Sequence, residues 1–252
     1  MIVETSMLDL LRRKATTFAN DPKGSLISKG RECRQFARQT LRAQGDAIKS
    51  CFEWKARWEL ARRGYLDFLK YRPQGAIPPD FADLWFLYRT VRLRKPRSIL
   101  EFGSGCSTVI LAQALSDNTN DHRPVSGFLH SVDSDPHWAD MTRKAVPRHL
   151  ETVYDISLSA LVEVNYEGTP GFRHAEVPQI SPDLLYLDGP PLTPHRQVAI
   201  DPLELEDRFP PGFCMIVDGR GRNTQFLVRH LKRRYRVRHR RLFRNSVFEL
   251  TG

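Results

Sequence analysis

One stretch near the middle of the chain, Ser98–Leu115 (SILEFGSGCSTVILAQAL), constrains the fold more than any other. It predicts a short buried strand, then a turn containing Gly103 and Gly105, then a helix whose apolar residues suit burial against a sheet. The two glycines allow a positive φ and let a ligand approach the backbone, and the amides at Ser107 and Thr108 can meet a polar ligand. The stretch is half of a β-α-β unit that suits a nucleotide-like ligand.

The turn departs from the G-x-G-x-x-G fingerprint of dinucleotide-binding proteins. Thr108 stands where the third glycine belongs, and Glu101 precedes the first glycine, where a nicotinamide-binding strand usually stays apolar. No pyrophosphate site is implied, and both residues disfavour a nucleotide-dependent oxidoreductase.

Two acids are predicted to follow strands that end at the same edge of the sheet. Asp133 closes a strand over Gly127–Val132, where its carboxylate can accept hydrogen bonds from both hydroxyls of a ribose held over the glycine turn. Asp188 follows the apolar run Leu184–Leu187. In a doubly wound sheet ligands collect at the carboxyl ends of the strands, so these two acids should converge.

The motif E-x-G-x-G-x-S-T, with Asp133 and Asp188, resembles the class I S-adenosylmethionine (SAM)-dependent methyltransferases. The resemblance extends over the β/α alternation from Ile99 to Leu250. It implies SAM as the cofactor, and the Glu101 carboxylate suits the charge of a sulfonium cation. The cofactor-binding residues that it implies are Glu101, Gly103, Ser104, Gly105, Ser107, Thr108, Asp133 and Ser134.

The predicted architecture is α/β, a doubly wound, mostly parallel seven-stranded sheet with helices on both faces and a C-terminal antiparallel hairpin. An N-terminal helical segment over residues 1–75 precedes it, ending in a Pro- and Gly-containing linker, and residues 76–252 form the methyltransferase domain. Further predictions are a helix in PDFADLWFLYRTVRLRKPRS stopped by Pro96, a hairpin or lid in NYEGTPGFRHAEV, helices in DPLELEDRF and FLVRHLKRRY, and a final strand pair turning near Arg244–Ser246.

The reaction that the resemblance implies is in-line displacement of a methyl group from the sulfonium to an oxygen or nitrogen nucleophile. Asp188 is the first candidate for the base or for orienting the acceptor, and His195 is the second, although Pro194 before it also suits an ordinary loop histidine. Methylation of a nucleobase is disfavoured. The D/N-P-P-Y/F signature of nucleobase amino-methyltransferases is interrupted here by Gly189, and Leu192 replaces its aromatic residue.

A divalent metal is the less favoured alternative, and no metal ligands are assigned. Asp188 and Asp218 match two ligands of the catechol-type O-methyltransferases, but Gly219 stands where asparagine is needed and Asn223 is displaced. Two carboxylates alone could hold magnesium only with substrate or water completing its coordination.

Composition indicates the general class of the protein but does not identify its partners. With 40% hydrophobic and 27% charged residues and no long apolar run, the sequence is typical of a globular protein without a membrane span, with the cytoplasm as its default location and its four cysteines as free thiols. The net charge of +10 comes largely from its two ends. A small-molecule acceptor is favoured. The alternative is a non-catalytic module that keeps the cofactor fold and binds nucleic acid or another acidic partner, and the oligomeric state stays open.

Overall fold

The computed structural model describes residues 44–72, 76, 78–190 and 197–252, and the chain divides into two compact units between Cys51 and Phe52. Residues 44–61 are helical (α1). The later helices are α2 (Phe81–Arg94), α3 (Cys106–Thr119), α4 (Pro136–Ala145), α5 (Asp201–Glu204) and α6 (Gly221–His230). The strands are β1 (Ser98–Phe102), β2 (Phe128–Asp133), β3 (Tyr154–Leu158), β4 (Leu161–Tyr166), β5 (Thr169–His174), β6 (Leu184–Leu187), β7 (Val198–Ala199), β8 (Cys214–Asp218), β9 (Tyr235–Arg240) and β10 (Asn245–Leu250).

Seven strands form one sheet in the order β3-β2-β1-β6-β8-β10-β9. The first five run parallel, and β10 pairs antiparallel with both β8 and β9. Buried apolar side chains cover both faces, with α2 and α3 on one face and α6 on the other. This confirms the predicted doubly wound sheet with its C-terminal hairpin. Because both faces are covered, β6 is apolar throughout.

The hairpin predicted in NYEGTPGFRHAEV is confirmed as β4 and β5. It belongs to a second, three-stranded sheet in the order β4-β5-β7. β5 pairs parallel with β7 through Gly171 and Val198, and a Cβ at Gly171 would lie 2.8 Å from the carbonyl oxygen of Val198. The absence of a side chain at Gly171 lets these two strands approach.

The helix predicted in PDFADLWFLYRTVRLRKPRS is confirmed as α2. Two carboxylates bind the backbone amides at its start. The Asp80 carboxylate accepts from the amide of Asp83, and the Glu53 carboxylate accepts from the amides that open the helix. These bonds satisfy backbone donors that have no partner within the helix. The helix ends at Arg94, and the residue after it, Lys95, has a φ of 48° and directly precedes Pro96.

The two other predicted helices are shifted or shortened, and Glu206 explains much of the difference. In DPLELEDRF the helix is the single turn α5, followed by a 3₁₀ turn at Glu206–Arg208. In FLVRHLKRRY the helix starts earlier, as α6, and ends at His230. The buried Glu206 carboxylate accepts from the amides of Lys232 and Arg233 at 2.9 and 2.8 Å, which holds this segment outside the helix.

The last turn of the chain also differs from its prediction, since residues 241–244 form it rather than Arg244–Ser246. Asn245 already belongs to β10, where it pairs with Arg240. Its buried amide donates to Asp83 at 2.7 Å, which fixes the start of the strand against α2.

In the part of the chain that the structure describes, every helix is too short or too polar to cross a lipid bilayer. Of the N-terminal helical segment predicted over residues 1–75, the part before residue 44 lies outside the described residues, and residues 44–61 are helical. The predicted domain boundary at residue 75 stays a prediction.

Candidate functional site

The glycine turn joins β1 to α3 at the carboxyl edge of the large sheet. Gly103 has a φ of 89°, and a Cβ added to it would lie 2.6 Å from the backbone of Gly189. Both the conformation and the contact therefore require glycine. Gly105 does not use its freedom to adopt a positive φ in the left-handed region, because its φ of 164° is extended backbone. Apart from its neighbours along the chain, no described atom lies within 4 Å of a Cβ placed on Gly105, so the space beside it is open.

Glu101 is fully buried between β2 and the start of α3. Its Oε2 accepts from the hydroxyls of Ser131 and Thr108 at 2.5 and 2.7 Å, and the Thr108 oxygen in turn accepts from the amide of Gly105 at 3.0 Å. Burial raises the pKa of Glu101 to about 7, and the hydroxyls of Ser107, Ser131 and Thr108 oppose that rise. The structure thus uses Glu101 and Thr108 to hold the turn in place.

Asp133 lies at the end of β2 and reaches across to the glycine turn. Its Oδ2 accepts from the amide and the hydroxyl of Ser104 at 2.8 and 2.5 Å, and its Oδ1 accepts from the amide of Asp135 at 2.9 Å. The predicted residues Asp133 and Ser104 are therefore in direct contact. Ser134 lies next to them, half-buried, and Ser107 is buried in the first turn of α3.

The segment after β6 is tied to the end of β1. The carbonyl oxygen of Phe102 accepts from the amides of Asp188 and Gly189 at 3.1 and 2.5 Å. The side chain of Asp188 is exposed, whereas Gly189 is buried against Gly103. The backbone of the acid is thus fixed while the residue stays accessible to solvent, and desolvation by the surrounding protein raises the pKa of its carboxyl.

Arg220 supports the same segment from the end of β8. Its buried guanidinium donates to the carbonyl oxygens of Asp188 and Pro190. Burial lowers the pKa of Arg220, and the nearby charges of Asp188 and Asp218 act in the opposite direction. Buried donors on a rigid fork fix the path of the chain around Asp188.

Asp218 ends β8 beside these groups, and its Oδ2 accepts from the phenol of Tyr186 at 3.1 Å. Burial raises the pKa of Asp218 to about 6, the charge of Asp188 raises it further, and the Tyr186 hydrogen bond lowers it. Asn223 takes no part, because its buried amide bonds both the N–H and the carbonyl of Ala199. Among the described residues, no group of three or more His, Cys, Asp or Glu side chains is placed to hold a metal ion.

The structure therefore brings the glycine turn, Asp133, Asp188 and Asp218 to one edge of the sheet, as the strand order requires. His195, Pro191 and Leu192 lie outside the described residues. Sequence reasoning missed Gly189 and Arg220. The first was read only as an interruption of a motif, although a glycine directly after a strand-ending acid is a signal of close approach. Arg220 gave no signal among 39 Lys and Arg residues.

A parallel sheet in this order, closed by an antiparallel hairpin and carrying a glycine turn after β1 and acids after β2 and β6, is the fold of the class I SAM-dependent methyltransferases. A methyltransferase of Podospora anserina, PaMTH1, solved with SAH bound, superposes with a TM-score of 0.51 at 13% identity, over 75% of this chain and 87% of that one. At this identity the likeness shows the fold.

Two further solved structures superpose with lower TM-scores. A putative O-methyltransferase from Klebsiella pneumoniae has a TM-score of 0.48 at 14% identity, over 81% of this chain and 100% of that one. An O-methyltransferase from Bacillus cereus in complex with SAH has a TM-score of 0.46 at 14% identity, over 80% and 91%. No protein-family model and no curated protein matches the sequence.

Proposed function

We propose that this chain is a SAM-dependent methyltransferase that transfers a methyl group to an oxygen or nitrogen of a small-molecule acceptor. The observation that carries the proposal is the contact between two loops at the sheet edge. One loop holds Asp133 against the glycine turn, and the other holds Asp188 against the end of β1. The proposed cofactor site and the proposed acceptor-side acid therefore lie next to each other at the sheet edge. The fold supports this reading, and the matching PaMTH1 structure contains SAH.

The residues around the turn fit the adenosine half of SAM. A carboxylate offers about four acceptor positions, and three of those on Asp133 are taken by Ser104 and Asp135. One ribose hydroxyl can use the remaining position, and displacement of the Ser104 hydroxyl frees a second. The open space beside Gly105 leaves room above the turn. Bound SAM supplies an electrophilic methyl group on a sulfonium.

On the acceptor side, Asp188 is the group that this chain offers. Its exposed carboxylate can take a proton from an acceptor hydroxyl or ammonium, or orient that group as a hydrogen-bond acceptor. Its amide donates to the carbonyl oxygen of Phe102 and its carbonyl oxygen accepts from the Arg220 guanidinium, and these two bonds hold it in position. Most of the acceleration of a methyl transfer comes from alignment and exclusion of water, so a fixed acid is more useful here than a mobile one.

We assign no metal to this proposal. Gly219 replaces the asparagine of the catechol-type pattern, and the amide of Asn223 is engaged with Ala199. The remaining carboxylates, Asp188 and Asp218, do not by themselves complete a magnesium shell.

The test is methyl transfer from labelled SAM to separated pools of small molecules, protein and RNA. We expect label in the small-molecule pool, no loss of label in excess EDTA, and loss of label with Asp133→Ala. Calorimetric titration with SAM and SAH is the accompanying binding assay. Absence of heat with both, together with tight NAD binding, would refute the assignment. Label in the RNA or protein pool would overturn the proposed small-molecule acceptor but would still support methyl transfer from SAM.

A further inference from the structure

A buried tyrosine hydroxyl lies between two acids at the carboxyl edge of the large sheet. Tyr186, in β6, is 3% exposed. Its hydroxyl donates to Asp218 Oδ2 at 3.1 Å, and it also hydrogen-bonds the carboxyl group of Asp188. The two acids lie on neighbouring strands, since the residues directly before them, Leu187 and Val217, pair in register. The proposed methyl transfer assigns a role to Asp188 but none to Tyr186 or Asp218.

The hydrogen atoms available for these contacts do not suffice when both acids are charged. A phenol carries one hydrogen, so it donates to one carboxylate at a time, while its oxygen can accept from another donor. With both carboxylates ionised, one of the two contacts of Tyr186 therefore lacks a hydrogen. A further proton on either acid completes both contacts, because the protonated carboxyl donates to the phenol oxygen and the phenol donates to the other carboxylate. The arrangement is thus suited to take up one proton.

Burial and charge act in the same direction as this hydrogen-bond geometry. Burial raises the pKa of Asp188, and burial together with the charge of Asp188 raises the pKa of Asp218 to about 6. Two carboxylates that are close together and partly removed from water ionise one after the other, so the pair keeps one proton to higher pH than a lone aspartate does. Burial also raises the pKa of Tyr186 well above its ordinary value. The phenol therefore keeps a hydrogen of its own and can only pass a proton on.

The surrounding charges favour Asp218 as the acid that holds the proton. The Arg220 guanidinium, which donates to the carbonyl oxygen of Asp188, is the charge that most favours the ionised form of Asp188. On Asp218 the charges of Asp188 and Asp80 each act more strongly than that of Arg220, and both disfavour its ionised form. Among the described residues, the other groups whose charges act on these three side chains are Asp80 and Asp83 at the start of α2, Glu101 on β1, Cys106 on α3, Arg220 after β8 and Arg240 on β9.

We propose that Asp188 and Asp218 form a proton-sharing pair bridged by Tyr186, in which a proton taken up by Asp188 passes to Asp218. Its catalytic consequence rests on the proposed function. The O–H or N–H proton of the acceptor passes to Asp188, the acceptor atom bonds to the methyl carbon, and the carbon–sulfur bond breaks with its electron pair on a neutral sulfur. The proton then moves from Asp188 to the Tyr186 oxygen while the phenol hydrogen moves to Asp218 Oδ2. Asp188 regains its charge, Tyr186 is unchanged, and Asp218 is neutral until it releases the proton to water.

The first test is an NMR titration of the full chain with ¹³C-labelled aspartate carboxyls, in which the two signals are assigned by their loss in Asp188→Asn and Asp218→Asn. We expect Asp218 to titrate near pH 6. In Asp188→Asn this midpoint should fall, because a like charge is removed. In Tyr186→Phe the midpoints of both acids should rise by roughly 0.5 to 1 pH unit, because the hydrogen bonds that favour their charged forms are lost. Tyr154→Phe, on the edge strand β3, is the matched control and should leave both midpoints unchanged.

The second test is kinetic and uses the acceptor that the labelling experiment identifies. Tyr186→Phe and Asp218→Asn should each lower kcat by roughly tenfold or more. The KM for the acceptor and the affinity for SAH should stay within about twofold of the unmodified chain, because the relay acts only in the reaction step. A purely structural role of Tyr186 would lower thermal stability and leave kcat intact.

Circular dichroism establishes that each variant is folded, and if Asp188→Asn is not, Tyr186→Phe decides alone. The shared proton is refuted if Asp218 has the same midpoint with and without Asp188, or if folded Tyr186→Phe leaves both midpoints unchanged. It is also refuted if excess magnesium abolishes both titrations, since the pair would then be a metal site. Coupled midpoints with full kcat in Tyr186→Phe would overturn the relay alone. Coupled midpoints without methyl transfer to any pool would overturn the proposed function and support the shared proton.

Discussion

Gly103 and Gly189 meet backbone to backbone, and a Cβ added to Gly103 would lie 2.6 Å from both the Cα and the N of Gly189. This contact joins the glycine turn to the segment that carries Asp188. Neither partner can move aside as a flexible side chain could, because both surfaces are main chain.

We therefore expect Gly189→Ala to destabilise the fold by about 3 kcal/mol, the upper range for overpacking a filled site, and to lower affinity for SAH by displacing the turn. Thermal and urea unfolding measure the first effect and calorimetry the second. Gly221→Ala is the matched control, since nothing described lies within 4 Å of its added Cβ and it opens a helix. Unchanged stability of Gly189→Ala would show that the contact between Gly103 and Gly189 can accommodate an added Cβ.

Asp133→Ala should weaken SAH binding by about 1.5 to 3 kcal/mol, because it removes charge-assisted bonds to the ribose and releases Ser104. Ser104→Ala separates the two contributions, since it removes only the hydroxyl that donates to Asp133 Oδ2. We expect this variant to bind SAH within about 1 kcal/mol of the unmodified chain. Equal losses for the two variants would mean that Asp133 acts only by holding the turn.

Glu101 predicts a dependence of stability on pH. Its pKa is about 7 in the folded chain against 4.5 for an ordinary glutamate. Between these values the native state keeps a proton that the unfolded state releases, so the free energy of unfolding falls as pH rises through the window and levels off above it. Across this window the free energy of unfolding should fall by about 3 kcal/mol, because Glu101 is fully buried.

Glu101→Gln mimics the protonated form and should remove this component. The stability difference between the unmodified chain and Glu101→Gln, measured by urea unfolding at several pH values from about 5 to 8, should then shift in favour of the variant as pH rises. The raised pKa of Asp218 is present in both proteins and cancels. Glu151→Gln, at an exposed position, should follow the unmodified profile. A pH-independent difference would contradict the raised pKa of Glu101.

Asp188→Asn should leave SAH affinity nearly unchanged and lower turnover with whichever acceptor the labelling experiment identifies. The reason is that its carboxylate lies on the acceptor side, while its backbone bonds to Phe102 and Arg220 persist in the asparagine variant. Single-turnover assays and thermal unfolding distinguish the alternatives. Loss of thermal stability with full specific activity would assign Asp188 to the turn alone.

The basic C-terminal region should bind nucleic acid only weakly. Nine Lys and Arg residues lie between Arg229 and Arg244. Some of them are already engaged: Arg238 pairs with Glu249 at 3.1 Å, and Arg240 stacks over Phe86 and Phe243. We expect affinity for labelled RNA or DNA weaker than micromolar at physiological salt. The contrary result is tighter binding that falls roughly tenfold or more between about 50 and 200 mM salt and disappears when Arg236 and Arg238 are changed to serine.

The large sheet could be predicted from sequence because its strands and helices are indicated by patterns of neighbouring residues. Apolar runs such as Leu184–Leu187, glycines at strand ends and acids after strands are features of neighbouring residues, and strand order then brings them together. The same reasoning placed the candidate residues Asp133 and Asp188 at one edge of the sheet.

What the sequence did not disclose depends on contacts between distant segments. The meeting of Gly103 with Gly189, the support from Arg220 and the Glu206 carboxylate that ends α6 each join residues far apart in the chain. No periodicity encodes such pairs. The same holds for Glu101, whose charge suggested a role toward the cofactor, while only the packing shows its bonds to Ser131 and Thr108.

The hydrogen bonds that the amides of Asp188 and Gly189 donate to the carbonyl oxygen of Phe102 have a consequence for redesign of acceptor preference. They place the main chain of the acid by sheet register, so lengthening or shortening that segment would misplace the acid together with the glycine turn. Libraries that aim at new acceptors should therefore hold Gly103, Gly189 and Arg220 constant. Diversity belongs in side chains on neighbouring elements that face Asp188, where a change of shape leaves the shared scaffold untouched.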